Sequence, residues 1–418
     1  MRAPMPRCSA SRLARRRRQG GAVAIVVGLT LAVLIGFAGL SLDLGKLYIA
    51  KTELSNAADS CALAAARDLT TAQPLATAEA AGITTGTSNR VLFQSEAVSM
   101  SPDDNVTFSE SFTGPYQTKG NFTTADLPKI KYVRCSASRP NITNWFIQVL
   151  DAALGSSSVS STAVASTTQS QTTCALPVGI CQAPSSAPYT VGQWIPSKVG
   201  ANNQLTGNFM WVAYPDNPTV PDMRALLTGA GECNLPTLGT DVGKTGNIQS
   251  LAAAWNTRFG IYQNPYSPPP DPTGVPDSTG YAYSPVTPGP QSNAYSDFVT
   301  RRLQHAQYQG NSVTGLSVQA GANAPPASYY SSGTDRRLAL VPVISCPSLV
   351  NNQKAPVQSW ACVLMLHPME KNINGALNGT VYLEYRGDAS DPSSPCATQG
   401  IPGSNTAGIG PLVPVLVQ

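Results

Sequence analysis

Acid–base chemistry near neutral pH calls for an imidazole, and this chain has two, His305 and His367, in 418 residues. His367 follows the apolar run 361–366 and precedes Pro368, Met369 and Glu370. An imidazole at a strand end beside a carboxylate could move protons in a hydrolysis. No Gly-x-Ser-x-Gly elbow or Cys-Gly-Ser-Cys nucleophile accompanies it, so a structural histidine is the preferred reading. His305, in Arg301-Arg302-Leu303-Gln304-His305, is expected on a helix, facing solvent. Gly239-Thr240-Asp241-Val242-Gly243-Lys244-Thr245 looks like a phosphate loop, but its glycines are one residue too close together and no apolar strand precedes it. It reads as a glycine-rich turn. Arg386-Gly387-Asp388, the tripeptide of integrin ligands, is explained equally well by a turn after a strand.

The elements that would position these residues begin with a membrane segment. Residues 20–42 are uncharged, and as a helix they would extend roughly 34 Å, enough to cross a hydrocarbon core. Before them lie Arg2, Arg7, Arg12 and Arg15, Arg16, Arg17 and Arg18, with no acid, which predicts an N-in, C-out single span. Of the 27 basic and 23 acidic residues, these seven arginines are therefore inside, leaving 20 − 23 = −3 outside. The overall +4 is thus no signal for nucleic acid. The alternative is a cleaved secretory signal ending at Gly36-Phe37-Ala38, but the apolar run is longer than a signal core and helical patterning continues past it.

The continuation has no proline before Pro74, and the helix is expected to run on through residues 43–70. Leu40, Leu44, Leu47, Leu54, Ala58, Cys61 and Ala65 form a heptad-like stripe interrupted by Lys51, which makes them candidates for a helix interface. The bland alternative is that the outer half packs on its own domain. Gly28, Gly36 and Gly39 are candidates for close helix approach in the membrane.

Nine cysteines are present. Cys8 is expected inside and the other eight in an oxidising compartment. Spacing favours Cys174 with Cys181, across a short local loop, and then Cys346 with Cys362. Cys61 is read as a buried thiol, with a crosslink to a second copy as the alternative. There is no C-x-x-C, and neither histidine stands at ligand spacing from a cysteine pair, so no metal is expected.

The string from Arg18-Gln19-Gly20 through the span, with Gly36 to Gly39 near its outer end, then Leu42-Asp43-Leu44-Gly45 and Leu54-Ser55-Asn56-Ala57-Ala58-Asp59, resembles the amino terminus of TadG-like (TadE/G-like) proteins of bacterial tight-adherence (Flp) pilus systems. The resemblance covers residues 16–70. Counting from Gly21, the fifth position is Ile25 and not the glutamate that usually accompanies prepilin-type processing, which argues against cleavage after Gly20. The phrases Asn256-Thr257-Arg258-Phe259-Gly260, Arg336-Arg337 leading into Leu340-Val341-Pro342-Val343, and Pro411-Leu412-Val413-Pro414-Val415-Leu416-Val417 look like features of the long TadG-like form. Many relatives carry a von Willebrand A domain. Here the nearest string to its metal site, Asp388-Ala389-Ser390-Asp391-Pro392, has proline where a second hydroxyl ligand is needed.

Strands are expected at 91–100, 105–112, 130–138 and 159–167, with a short helix at 141–154 and a helix exit at 70–89. Further strands are expected at 208–214, 337–344, 359–366 and 380–386, with a helix at 247–259. The proline-rich segment 264–291 is expected to be an exposed loop. The fold class is therefore α+β: a cytoplasmic basic tail (1–19), a transmembrane, pilin-like helix (20–42) continuing over 43–70, a small α+β domain (88–170), and a β-rich, disulfide-containing region (174–418). The resemblance implies a membrane-anchored accessory component of Tad/Flp pilus assembly in the bacterial inner membrane, with the bulk of the chain periplasmic or beyond. Its implied partners are inner-membrane lipid, pilin or pseudopilin-like proteins and, as a further option, a second copy. No nucleic acid, cofactor or catalytic residue is expected. The alternatives are a surface adhesin, using tyrosines such as Tyr281 to Tyr283 and Tyr329-Tyr330, and an envelope hydrolase using His367 and Glu370.

Overall fold

The computed structural model describes residues 20–417 apart from 70–73, 150, 200–204, 208, 244–249, 268–276, 287–291, 319–326, 347–353, 371–376, 378 and 403–407. The basic tail and Cys8 lie outside the described residues. The chain divides into two units, Met1–Ser166 with Leu416–Gln418, and Thr167–Val415. Together they make a mixed α+β protein: a long apolar helix followed by strand-rich structure with four disulfides.

In the first unit, helix α1 (Gly20–Arg67) is unbroken for 48 residues, as its lack of proline allows. Its first half is long and apolar enough to cross a membrane. Helix α2 (Leu75–Thr87) starts after Pro74, where a helix exit was expected. Its buried residues, Leu75, Ala78, Glu79, Gly82 and Gly86, do keep helical spacing. Ala78, Gly82 and Gly86 are too small to give a strong apolar period, yet their size allows close approach. A Cβ on Gly82 would stand 3.1 Å from both Ala65 Cβ and Cys61 Sγ of α1.

The expected strand 91–100 is instead a pair of two-residue arms, β1 (Arg90–Val91) and β2 (Glu96–Ala97). Leu92, Phe93 and Gln94, all at φ near +60°, turn the chain back between them. Strands β3 (Val106–Ser109), β4 (Tyr132–Thr143) and β5 (Ser156–Thr172) then pair antiparallel in that order. Val133, Cys135 and Ala137 alternate inward along β4 and meet Ala163 and Ala165 of β5 in one core with Leu54, Ala58, Cys61 and Ala65 of α1. Cys61 is bonded to Cys135. It is therefore neither the free thiol preferred from the sequence nor a crosslink to a second copy.

The helix expected at 141–154 does not form. β4 runs on to Thr143, and the chain turns through two short 3-10 segments, Ile147–Val149 and Ala152–Leu154. Asn141 and Thr143, at the start of the expected helix, belong to the strand. The amide of Asn144 donates to the carbonyl of Gly155 and its side chain to that of Leu154, which closes the turn back onto β5. Leu150 lies outside the described residues.

The second unit is built on strands β6 (Val178–Cys181), β7 (Trp194–Val199), β8 (Leu205–Gly207), β9 (Phe209–Trp211), β10 (Asp241–Val242), β11 (Leu338–Ile344), β12 (Ala355–Met365), β13 (Thr380–Asp388), β14 (Ala397–Pro402) and β15 (Gly408–Leu416). The main sheet has the order β8-β7-β13-β12-β11-β6-β9, with β10 also on β12. Among the pairs of named strands in this sheet, β6–β11 is the parallel one. Helices α3 (Val220–Thr228) and α4 (Ser250–Thr257) pack together, followed by α5 (Tyr295–Leu303) and the one-turn helices α6 (Asn311–Thr314) and α7 (Ala327–Tyr330).

Successive residues of β11 and β12 enter different cores. Ala339, Val341, Val363 and Met365 meet Trp255 and Phe259, while Leu338, Leu340, Cys362 and Leu364 meet Phe298 and Tyr283. Both faces are covered, so these strands read as continuous apolar runs rather than alternating ones. Part of the segment expected as an exposed proline-rich loop is interior: Asp277, Thr279, Ala282, Tyr283 and Ser284 are buried. Residues 268–276 and 287–291 of that segment lie outside the described residues.

Cys174 pairs with Cys233, Cys181 with Cys346, and Cys362 with Cys396, not in the local pairs that spacing suggested. The reason is strand direction. The chain bridges Ala175 to Leu340 and Cys181 to Ile344 as it runs beside β11, which puts Ala175 about 13 Å from Cys181 and leaves Cys174, its neighbour, far beyond disulfide reach of Cys181. Cys362 sits opposite Leu340, six residues up β11 from Cys346, and the two are separated for the same reason.

Candidate functional site

The interface stripe is the first sequence-predicted site to place. Leu54, Ala58, Cys61 and Ala65 are fully buried and Leu47 packs against the same core, so this part of the stripe is spent on the chain's own sheet. Small side chains on both surfaces, and a disulfide between them, explain why the helix beds down there. Leu40 is half-buried and Leu44 exposed. What faces outward is the apolar first half of α1, where Leu29, Val33 and Leu34 stand open. A Cβ added at Gly28 or Gly36 would meet nothing within 4 Å. Gly39 differs, because its notch is filled by Phe146.

Where α1 leaves its apolar stretch it is tied by Asp43 to the rest of the first unit, the head that α1 carries. One carboxylate oxygen accepts the amide of Trp145 at 2.8 Å, and the other accepts those of Phe146 and Ile147 at 2.9 and 2.8 Å. These are donors that a chain entering a 3-10 turn leaves without partners of its own, and an anion satisfies them best. One turn further along α1, Lys46 Nζ donates to the carbonyl of Thr143 at 2.8 Å and lies 4.2 Å from the centre of the Trp145 ring. Asp43 and Lys46 are both buried. Sequence reasoning noted Leu42-Asp43-Leu44-Gly45 as a motif but assigned Asp43 no task, since its partners are about a hundred residues away.

In the second unit, the residues singled out for chemistry are engaged in structure. His367 is fully buried, its Nε2 accepting the amide of Tyr382 at 3.1 Å and its Nδ1 lying 2.9 Å from the carbonyl of Pro368. Glu370 accepts the amides of Ser317 and Leu377. His305 follows α5, half-buried, with Nδ1 3.3 Å from the carbonyl of Ser278, and is not on a solvent-facing helix. In the string resembling a phosphate loop, Asp241 and Val242 form β10; Lys244 and Thr245 lie outside the described residues. Asp388 and Asp391 each bond a serine two residues on, Ser390 and Ser393. No metal-holding cluster occurs among the described residues. Tyr283 and Tyr330, offered as adhesive contacts, are buried.

The phrases Asn256–Gly260 and Arg336-Arg337 turn out to be one assembly. Arg258 donates to the carbonyls of Leu227, Leu226, Gly229 and Arg336. Arg337 donates to Met365, Thr279 and Tyr281 and lies over the Phe259 ring at 4.3 Å. Asp277 accepts the amides of Arg336 and Arg337. Buried guanidinium groups thus satisfy carbonyls at the ends of α3 and β12 and in the segment after residue 276.

Two groups here titrate in opposition. Burial lowers His367 from 6.5 to about 4, so its contribution to stability is present above 6.5 and lost as pH falls through 4. Burial, opposed by Arg337 and Arg336, raises Asp277 from 3.8 to about 6, so its contribution is present below 3.8 and lost as pH rises through 6. Between these limits the two nearly cancel. Asp277→Asn should leave His367 unopposed, and stability should then fall by about 3 kcal/mol from pH 6.5 to pH 4. Urea unfolding followed by tryptophan emission across that range checks it; a profile in the variant no steeper than the wild type's would refute the opposition.

Residues 21–68, which are almost exactly those of α1, match the family model of Tad, the Flp pilus-assembly TadE/G-like family. No curated protein and no solved structure matches the chain.

Proposed function

We propose that this chain is a membrane-anchored accessory component of a Flp pilus-assembly system. Its amino terminus lies on the cytoplasmic side of a bacterial inner membrane, and the chain beyond the apolar half of α1 lies outside. It works by packing against other proteins and not by catalysis. The observation that carries this reading is the division of α1: the family-matching segment is one helix, apolar and open in its first half, locked into a sheet in its second. The head keeps the outer half occupied, so partners of pilin or pseudopilin type, or a second copy, would meet the membrane half, where Gly28 and Gly36 leave room for close approach.

Single cysteines at Leu29, Val33 and the exposed outer position Asn56, each in a Cys8→Ser background, test this in cells. Crosslinked adducts to small pilin-like subunits or to itself are expected from Leu29→Cys or Val33→Cys and not from Asn56→Cys. Release of the intact chain into the medium, or adducts from none of the membrane positions, would overturn the reading.

A further inference from the structure

The turn after β4 carries Trp145, Phe146 and Val149, exposed by 52, 42 and 83%. Large apolar groups so exposed and so close together in a connecting turn mark a surface that meets something other than water. The turn does not project away from α1. Asp43 holds its first amides, Phe146 fills the notch at Gly39, and the turn then runs back beside the apolar half. Between it and Ala32, Ile35, Gly36 and Leu40 lies a crevice of about 200 Å³. Ile35 is seven residues before Leu42, so the turn reaches roughly 10 Å below the outer end of the apolar span.

We infer that this turn is a second membrane-inserting element, a wedge that enters the head-side leaflet beside α1 and takes lipid acyl chain into the crevice. Three features favour lipid over a protein occupant. The surface is continuous with that of a helix whose exposed half is long and apolar enough to cross a bilayer. Backbone entering hydrocarbon must have its polar groups satisfied internally. The amides of Trp145, Phe146 and Ile147 reach Asp43, that of Val149 the carbonyl of Phe146, and that of Asp151 the carbonyl of Ile147. Finally, residues 144–150 contain no charge, and Trp145 stands over Lys46 at the level where an amphipathic ring suits the interface. The inference rests on the membrane anchoring proposed above but not on any role in a pilus.

The full chain, carrying Cys8→Ser and Val149→Cys, is labelled with an environment-sensitive fluorophore and reconstituted into phosphatidylethanolamine–phosphatidylglycerol vesicles. Ala125→Cys, at an exposed site elsewhere on the head, is the control. The expected result is blue-shifted emission from position 149, lost to lipids with a nitroxide high on the acyl chain and insensitive to iodide, with the reverse at position 125. Gly39→Leu, which evicts Phe146, should restore iodide access at position 149. Iodide quenching at position 149 in lipid alone would overturn the wedge. So would shielding that arises only when pilin-like subunits are co-reconstituted, since the occupant would then be protein. Neither result bears on the crosslinking test in cells, so failure of the wedge and failure of the assembly role are separable.

Discussion

Arg337→Met should destabilise the second unit by about 5 kcal/mol, the largest effect expected of any single substitution here. The methionine keeps the apolar stem but leaves the carbonyls of Met365, Thr279 and Tyr281 without their buried donor. It also removes one of the two guanidinium groups beside Asp277. Domains are stable by about 5 to 15 kcal/mol, so this loss approaches the whole. Arg337→Lys should rescue little, because an ammonium cannot reach divergent carbonyls with a planar fork. Four of the five tryptophans, Trp194, Trp211, Trp255 and Trp360, lie in the second unit, so urea unfolding followed by their emission reads it directly. A midpoint within error of the wild type would refute the carbonyl clamp.

Asp43→Ala should cost about 4 kcal/mol in the first unit, since three amides lose one charged acceptor in a buried place and Lys46 loses its neighbouring anion. Asp43→Asn, which keeps one oxygen acceptor but no charge, should cost roughly half as much. The expected signature is local: protease cleavage within residues 144–155 under conditions that leave β4 and β5 intact. The Cys61–Cys135 bond still holds the helix to the sheet, so global unfolding is not required for the turn to open. If the variant resists protease as the wild type does, Asp43 is not the tie that holds the turn. In cells, Asp43→Ala should also weaken the crosslinks expected from the membrane half, if the head must be held in register with the helix for assembly.

Much of this molecule was legible because it depends on local properties. The apolar run of residues 20–42 and the lack of proline before Pro74 specify α1 without reference to any other part of the chain. The β-branched and apolar runs of β11, β12 and β13 likewise identify them as strands wherever they pair. The small-residue surface of α2 was missed because glycine and alanine carry little apolar signal, although they are what close helix packing requires. A helix is expected at 141–154 because the apolar spacing there fits one; the strand that runs on to Thr143 and an anion from α1 decide otherwise.

By itself, then, the sequence determined the apolar helix, the strand content, a cysteine supply suited to disulfides and the resemblance that the family match over residues 21–68 supports. The tertiary structure alone decided which face of the helix remains open, which cysteines meet, and what Asp43, Arg258 and Arg337 hold. Those outcomes depend on strand direction and on contacts between residues as much as 165 positions apart in the chain. Local propensity carries no information about such distances, because a hydrogen-bond acceptor or a thiol looks the same in sequence whatever partner the fold brings to it.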